Sequence, residues 1–560
     1  MLGVSSSPRP SGTLALVLVV ILVVVGALFG YTYMTDNNTI SSLNRQKSGL
    51  EAYSGKANAT MAADNAKIAA DDSQISELQG NVSALQSRVS QDQSAIRSLN
   101  DQVSQDNSTT SKLQGSVSAL RSQVSQDYST VQSLEKEVTL LQSQVSSLQA
   151  GCGLVITTNT TLGKNIGPCS YGNGLVIGAS HIVLDCAGHT INGTGTNDTG
   201  IEILTGIART TVKSCYVTEF GYGFYLSGSS SNTLIGNTAD RDGAGFNILD
   251  SSSNTLIGNT ADRDGAGFNL FGSSSNNTLT GNTANQDSAG FYLFGSSDNT
   301  LTGNTANQDS AGFYLFGSSN SNTLTGNTAN SNNNDGFYLF GSSNSNTLTG
   351  NTANGNSING FYLFGSSSNT LTGNTANSNS NDGFCLFDSS DNALTGNTAN
   401  QAWAGFYLFG SSSSTLTGNT ANNNLEGFYL SYSNSSTVSE NTARSSGNDG
   451  FYIYDSSDNT FTKNTANNNS GGFYLYKSSN SNTLTGNTAN INTNNGFELD
   501  SSSSGNTLSG NAADRNAQHG YYDATTGSGK SRTANFYTSD ECSGNGSGGS
   551  SPSGLGSPQS

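Results

Sequence analysis

The residues that could do chemistry in this chain are its carboxylates, and most of them recur in phase. The phrase ADRDGAG occurs twice, setting Asp240, Arg241 and Asp242 one repeat away from Asp262, Arg263 and Asp264. Cleaving a polysaccharide takes paired carboxylates, or a carboxylate beside a base, in one groove. Asp242, Asp264 and Arg263 are therefore the catalytic candidates. A catalytic site should depart from its repeat, whereas Asp287, Asp309, Asp335, Asp382, Glu426 and Asp449 all fall in the same bridge before a Gly-Phe pair, where acids serve as turn residues first. Metal chemistry has less to work with: His181, His189 and His519 are scattered, the three Met are no closer, and no ligand spacing appears. His189 reads as a turn residue. Neither a metal nor a cofactor is expected, and no phosphate loop or calcium nonapeptide is present.

The second chemical feature is aromatic. Tyr225, Tyr292, Tyr314, Tyr338, Tyr362 and Tyr407 recur at one repeat position, and Phe294, Phe316, Phe340, Phe364 and Phe409 stand two residues after the last five of them. If these side chains share a face they form two ribbons along it, and an exposed apolar strip of that length marks a contact surface. Three uses stay open: mutual stabilisation of neighbouring rungs, lateral packing between heads, or a platform for sugar rings with polar flanks.

The elements that must position these residues are written as one sentence, NTLTGNTAN, a polar bridge, then GFYLFGSSS. Its copies open at Asn232, Asn254, Asn277, Asn299, Asn322, Asn346 and onward to Asn506, mostly 22 to 24 residues apart. That period, alternating and without a helical unit, is one coil of a β-solenoid. Alternation sends Phe291 and Leu293 inward and Tyr292 and Phe294 outward. Asn237, Asn259, Asn282 and Asn304 mark a bend, where each amide can bond its own backbone and the Asn of the next coil. The glycine before each Phe is expected at a positive φ or a close approach.

Upstream the pattern changes twice. Residues 1–12 form a short tail with Arg9 as its one charged side chain. Residues 13–34, including LALVLVVILVVVGALFG, are apolar and long enough to span a bilayer. The segment reads as an uncleaved anchor, N-terminus cytoplasmic and the bulk of the chain extracellular. Residues 36–150 carry heptads, with Val82, Val89, Ile96, Val103, Val117 and Val124 at a and Leu78, Leu85, Leu99, Leu113 and Leu120 at d. β-Branched a with Leu at d predicts a parallel coiled-coil stalk, a dimer or trimer, about 160 Å long as one rod. Asp71, Asp92, Asp106 and Asp127 interrupt the d layer and weaken it. With a net charge of −18 and only 21 basic residues in 560, nucleic acid is excluded as a partner.

From Cys152 the phrases CGLVITTNTTLGKNIGPC and GLVIGASHIVLDCAGHTINGTG resemble the opening coils of NosD-like right-handed parallel β-helix proteins, a branch of the pectate-lyase-like superfamily. The resemblance implies an all-β right-handed parallel β-helix over 151–537 that binds or processes carbohydrate; its NosD branch is associated with copper-enzyme maturation. Cys152 and Cys169 bracket the first coil, and Cys186 and Cys215 sit 29 residues apart at like positions, so two disulfides are expected. Cys385 replaces an outward Tyr and should be an exposed free thiol, and Cys542 is left without a disulfide by elimination. Sequons at Asn58, Asn81, Asn107, Asn192 and Asn197 are compatible with surface glycosylation. Residues 538–560, rich in Gly and Ser, read as a flexible tail. The functional expectation is a membrane-anchored, stalked surface protein for recognition, adhesion or coat structure, with carbohydrate or a neighbouring surface protein as partner. The alternative is a polysaccharide-acting lyase or glycoside hydrolase.

Overall fold

In the computed structural model, residues 87, 88, 94, 110–149 and 151–557 are described. The apolar segment 13–34 lies outside them. No helix among the described residues is long and apolar enough to cross a membrane.

The head is a right-handed parallel β-solenoid. Each coil contributes a Thr-Leu-Thr strand, a Thr-Ala-Asn strand and the longer Phe-Tyr-Leu-Phe strand. These stack in register, Leu279 on Leu301 on Leu324, Ala284 on Ala306, and Phe291 on Phe313. One face alone comprises 17 strands. The strand phase is as the alternation demands: Phe291, Leu293, Leu301 and Ala306 have no exposed surface, while Tyr292 and Phe294 are part-exposed. Inside, the rings from Phe224 to Phe497 form an unbroken stack, for example Phe291 on Phe313 at 4.6 Å and 4° and Phe337 on Phe361 at 4.7 Å and 5°. Tyr521 closes it.

The asparagines form ladders. Asn304 donates its backbone N–H to Asn327 Oδ1 (2.9 Å), while its Nδ2 bonds Leu279 O in the coil before (2.9 Å) and Asn327 Oδ1 (3.0 Å). Each side chain thus bridges three coils, satisfying buried backbone groups that a corner leaves outside the strand ladder. In this ladder the amide does not bond the backbone of its own turn, as the turn reading expected, whereas in the sister ladder Asn346 and Asn369 do, donating to Ser343 O (2.9 Å) and Ser366 O (3.0 Å). The glycine before each Phe serves a close approach: a Cβ on Gly290 would stand 2.8 Å from Ala306 Cβ and from Gly312 O.

Both disulfides form as expected, Cys152–Cys169 and Cys186–Cys215. Three expectations need correction. Cys385 is 5% exposed because its short side chain sits between the larger Tyr362 and Tyr407 in the adjoining coils. Tyr225 is 7% exposed, stacked at 5.2 Å on Tyr222 of its own strand. The C-terminal segment continues the solenoid: Phe536–Thr538, Glu541–Ser543 and Gly548–Ser551 are strands paired with the coil before. Asn535, Asp540 and Asn545 take the ladder places below Asn506, Asn511 and Asn516, and Leu555 and Cys542 are buried at the end.

Helix Thr110–Gln149 covers part of the heptad region. Its a and d positions, Val117, Leu120, Val124, Asp127, Val131 and Leu134, are less exposed than their neighbours. Arg88 Nε lies 3.9 Å from Asp127 Oδ2.

Candidate functional site

The outward aromatics form the wall that their spacing suggested. Tyr314, Tyr338 and Tyr362 stack at 4.9 Å with 2° and 5° between planes. Beside them Phe316, Phe340 and Phe364 follow at 5.2 Å. Tyr292 and Phe294 join at 5.3 and 5.1 Å with larger tilts. The two columns touch within each strand, Tyr338 to Phe340 at 5.6 Å. Tyr407 and Phe409 continue the wall past Cys385, Tyr407 on Tyr429 at 4.9 Å. All ten of the residues expected to bind are part-exposed, so the wall combines ring edges open to solvent with a buried backing. Burial raises the phenol pKa of Tyr292 and Tyr314, keeping these hydroxyls neutral donors.

The wall ends in a cleft that the sequence reading did not anticipate. After Tyr452 and Tyr474, stacked at 5.5 Å, the next residue of the column is Glu498. Glu426 and Asp449 lie in the neighbouring column, and below them the repeat turns to Gly471. A Cβ there would collide with Asp449 Oδ1, so only glycine leaves the carboxylate its place. Together with Asn494, these side chains line an open cleft of about 400 Å³. Glu426 is tied down by Asn448 Nδ2 (2.7 Å) and the Asp449 N–H (3.1 Å), and Glu498 by Asn495 Nδ2 (2.9 Å). Burial, with the charges of Glu426 and Glu498, pushes Asp449 up to about 8, so it carries a proton at neutral pH. Burial also raises Glu426, against its two hydrogen bonds. A neutral acid beside carboxylates and ring faces can bind hydroxyls and can in principle donate a proton. The available signal was a departure from the repeat: Glu498 where Tyr stands elsewhere, and Gly471 where the column had carried Glu426 and Asp449.

The catalytic candidates from the doubled phrase do not make such a site. Asp242 and Asp264 are each 4% exposed and belong to a ladder column, and Arg263 Nη2 bonds Asp240 (2.8 Å) and Asp262 (2.8 Å) on the outer side. The acids of the bridge split into two columns. Asp242, Asp264, Asp287 and Asp309 lie in one, four residues before the Phe; Asp335, Asp382, Glu426 and Asp449 lie in another, two residues before it.

Residues 152–334 match the family described as periplasmic copper-binding protein (NosD), and residues 369–513 match the right-handed β-helix region. No curated protein matches the chain. Among solved structures, an alginate lyase, AlyF-OU02 with G6, is 11% identical over 58% of this chain and 82% of that chain, with a TM-score of 0.37. Pectate lyase Pel9A is 18% identical over 53% and 81%, at 0.30. The A-module of the Azotobacter vinelandii mannuronan C-5 epimerase AlgE6 is 15% identical over 71% and 87%, at 0.26. The fold assignment rests on the strand register and the family matches. Copper does not fit the residues present. His189 Nδ1 lies 3.1 Å from Asn165 Oδ1 and His181 Nε2 3.3 Å from Arg209, and among the described residues no three His, Cys, Asp or Glu side chains converge as a metal group would require. The head is a right-handed parallel β-helix whose first coils are similar to the NosD family, and its described residues do not bring together the donor set that copper would need.

Proposed function

We propose that the head is a glycan-recognition surface, carried outside the cell on an anchored stalk. The observation behind this reading is the double aromatic wall, a continuous row of part-exposed rings flanked by Asn, Ser and Thr. Pyranose rings present apolar C–H faces that can lie across the row of exposed ring edges, and their hydroxyls match the amide and hydroxyl flanks. Single contacts of this kind are weak, and pairing heads through the heptad stalk would multiply them. The apolar segment 13–34 supplies the anchor in this reading. The test is binding of the full chain, in detergent, to a glycan array, compared with a Phe316→Ser, Phe340→Ser, Phe364→Ser variant. Binding that survives the three substitutions unchanged removes the wall from the reading.

The cleft favours a second reading, polysaccharide cleavage with Asp449 as the proton donor and Glu498 or Glu426 as its partner. Appearance of new reducing ends or unsaturated products, lost in Asp449→Asn while glycan binding persists, would rank the enzyme above the adhesin.

A further inference from the structure

One ladder column changes its chemistry partway along the head. From Asn332 onward it is mainly amide: Asn356 Nδ2 donates to Ala329 O in the coil before (3.1 Å) and to Asn379 Oδ1 in the coil after (3.0 Å). Over the four preceding rungs the same place is held by Asp242, Asp264, Asp287 and Asp309, each no more than 4% exposed. Their Oδ1 atoms do what the amide oxygens do, accepting the backbone N–H of Phe220 (2.7 Å), Asp242 (2.7 Å), Asp264 (2.6 Å) and Asp287 (2.8 Å). Their Oδ2 atoms have no hydrogen-bond partner among the described residues. Equivalence of position is direct: a Cβ on Gly290 would stand 2.5 Å from Asp309 Oδ2, and one on Gly336 2.8 Å from Asn356 Nδ2. The oxygen therefore occupies the site of a nitrogen that donates to a carbonyl on one side and an amide oxygen on the other. An ionised carboxylate cannot donate, and facing acceptors it is repelled from both. A neutral carboxyl can.

We propose that Asp242, Asp264, Asp287 and Asp309 form an acid-dependent clasp, a run of neutral carboxyl groups whose hydrogens bridge neighbouring coils in acidic to near-neutral surroundings and whose ionisation loosens those coils as the medium turns alkaline. The charged neighbours do not supply a counter-ion. Asp240 and Asp262 face the column from the adjoining strand and add negative charge, while Arg241 and Arg263 are spent on them from the solvent side, together with the Tyr216 hydroxyl on Asp240. Burial, opposed by the backbone N–H bond and reinforced by adjacent acids, pushes Asp242, Asp264 and Asp287 up to about 8, and burial pushes Asp309 up to about 7. The sign follows from linkage. The folded state holds these protons more tightly than the unfolded one, so their contribution is full below about pH 4 and is lost as pH rises to about 8. This device is independent of whether the wall binds glycans.

The test compares the full chain with an Asp242→Asn, Asp264→Asn, Asp287→Asn, Asp309→Asn variant by thermal unfolding followed in the near-ultraviolet circular dichroism, from pH 4 to pH 9. The expected result is matching Tm values near pH 4 and a gap opening in favour of the variant to on the order of 10 °C at pH 8. Asp335, Asp382 and Asp449 remain in both proteins, so the gap and not the slope of either curve is the readout. Difference infrared spectra at pH 6 should show a protonated carboxyl band that the variant loses. Parallel Tm curves, or no such band, overturn the proposal; so does a Tm at pH 8 that depends on a chelator, which would mean cations rather than protons neutralise the column. If the fourfold variant fails to fold, Asn356→Asp provides the converse measurement. It should place a carboxyl in the amide part of the column, beyond Asn332, and lower Tm more at pH 8 than at pH 4, and an equal loss at both overturns the proposal.

Discussion

The inner and outer columns of the same strand obey different rules. Inside, Phe repeats from Phe224 to Phe497 with ring spacings such as 4.7 Å between Phe313 and Phe337. One residue away, on the outer face, Tyr gives way to Cys385 and then to Glu498. An interior position is enclosed by the coils on either side and packed at near-crystal density, so a change of size there leaves a void or a clash. An outer position is bounded on one side only and tolerates substitution. Variation on the outer face is thus where function can be written, and the cleft lies where the outer pattern breaks while the inner one does not.

The comparison is most severely tested at a single inner ring. Phe361→Ala removes a fully buried side chain between Phe337 and Phe384, and a cost of about 3–5 kcal/mol is expected, read as a loss in chemical denaturation. A loss under 1 kcal/mol would mean that the inner column is no more constrained than the outer. Next in size is the disulfide at the N-terminal end. Cys186→Ser with Cys215→Ser opens a crosslink of 29-residue separation and should lower stability by about 3 kcal/mol in the same measurement. A smaller loss would show the first coils already held by their strands.

The ladder ranks below both. Asn327→Ala removes the acceptor of the Asn304 N–H and the donor to Leu301 O, groups enclosed by protein on all sides. About 1–3 kcal/mol is expected, with Asn327→Ser recovering part of it, as Ser414 and Ser436 already hold places in the sister ladder. Equal losses for Ala and Ser would reduce the ladder to space filling.

How much of this was legible depends on the physics in each place. The solenoid, its strand phase and both disulfides follow from alternation and spacing, because every rung repeats the same constraint and errors in one copy are corrected by the rest. Cys385 was misread since exposure is set by the tyrosines above and below, which the residue itself does not announce. The last coil was hidden by composition: Gly and Ser masked Asn535, Asp540 and Asn545, although they keep the five-residue spacing of Asn506, Asn511 and Asn516. The two acid columns looked like one because both precede Gly-Phe, and a shift of two residues separates a ladder member from a cleft carboxylate. The contact of Arg88 with Asp127 was beyond reach, since heptads specify a seam and not whose helix fills it.

The smallest expected effect on folding is the most informative about the outer face. Phe316, Phe340 and Phe364 keep part of their ring surface open to solvent, so replacing them with Ser removes a row of outer contacts without opening the interior. Each outer pair contributes on the order of 0.2–1 kcal/mol relative to a small residue, and since the three substitutions break the column pairs from Phe294 to Phe387, the loss should average about 1 kcal/mol or less per substitution while the head stays folded. Glycan affinity, if the wall carries it, should drop far out of proportion to that loss, by about tenfold or more for each 1.4 kcal/mol of ring contact removed. Loss of the fold with these three residues would place them among the determinants of the core and erase the distinction between the two columns. A stable variant with undiminished glycan binding would move the candidate site from the wall to the cleft around Asp449.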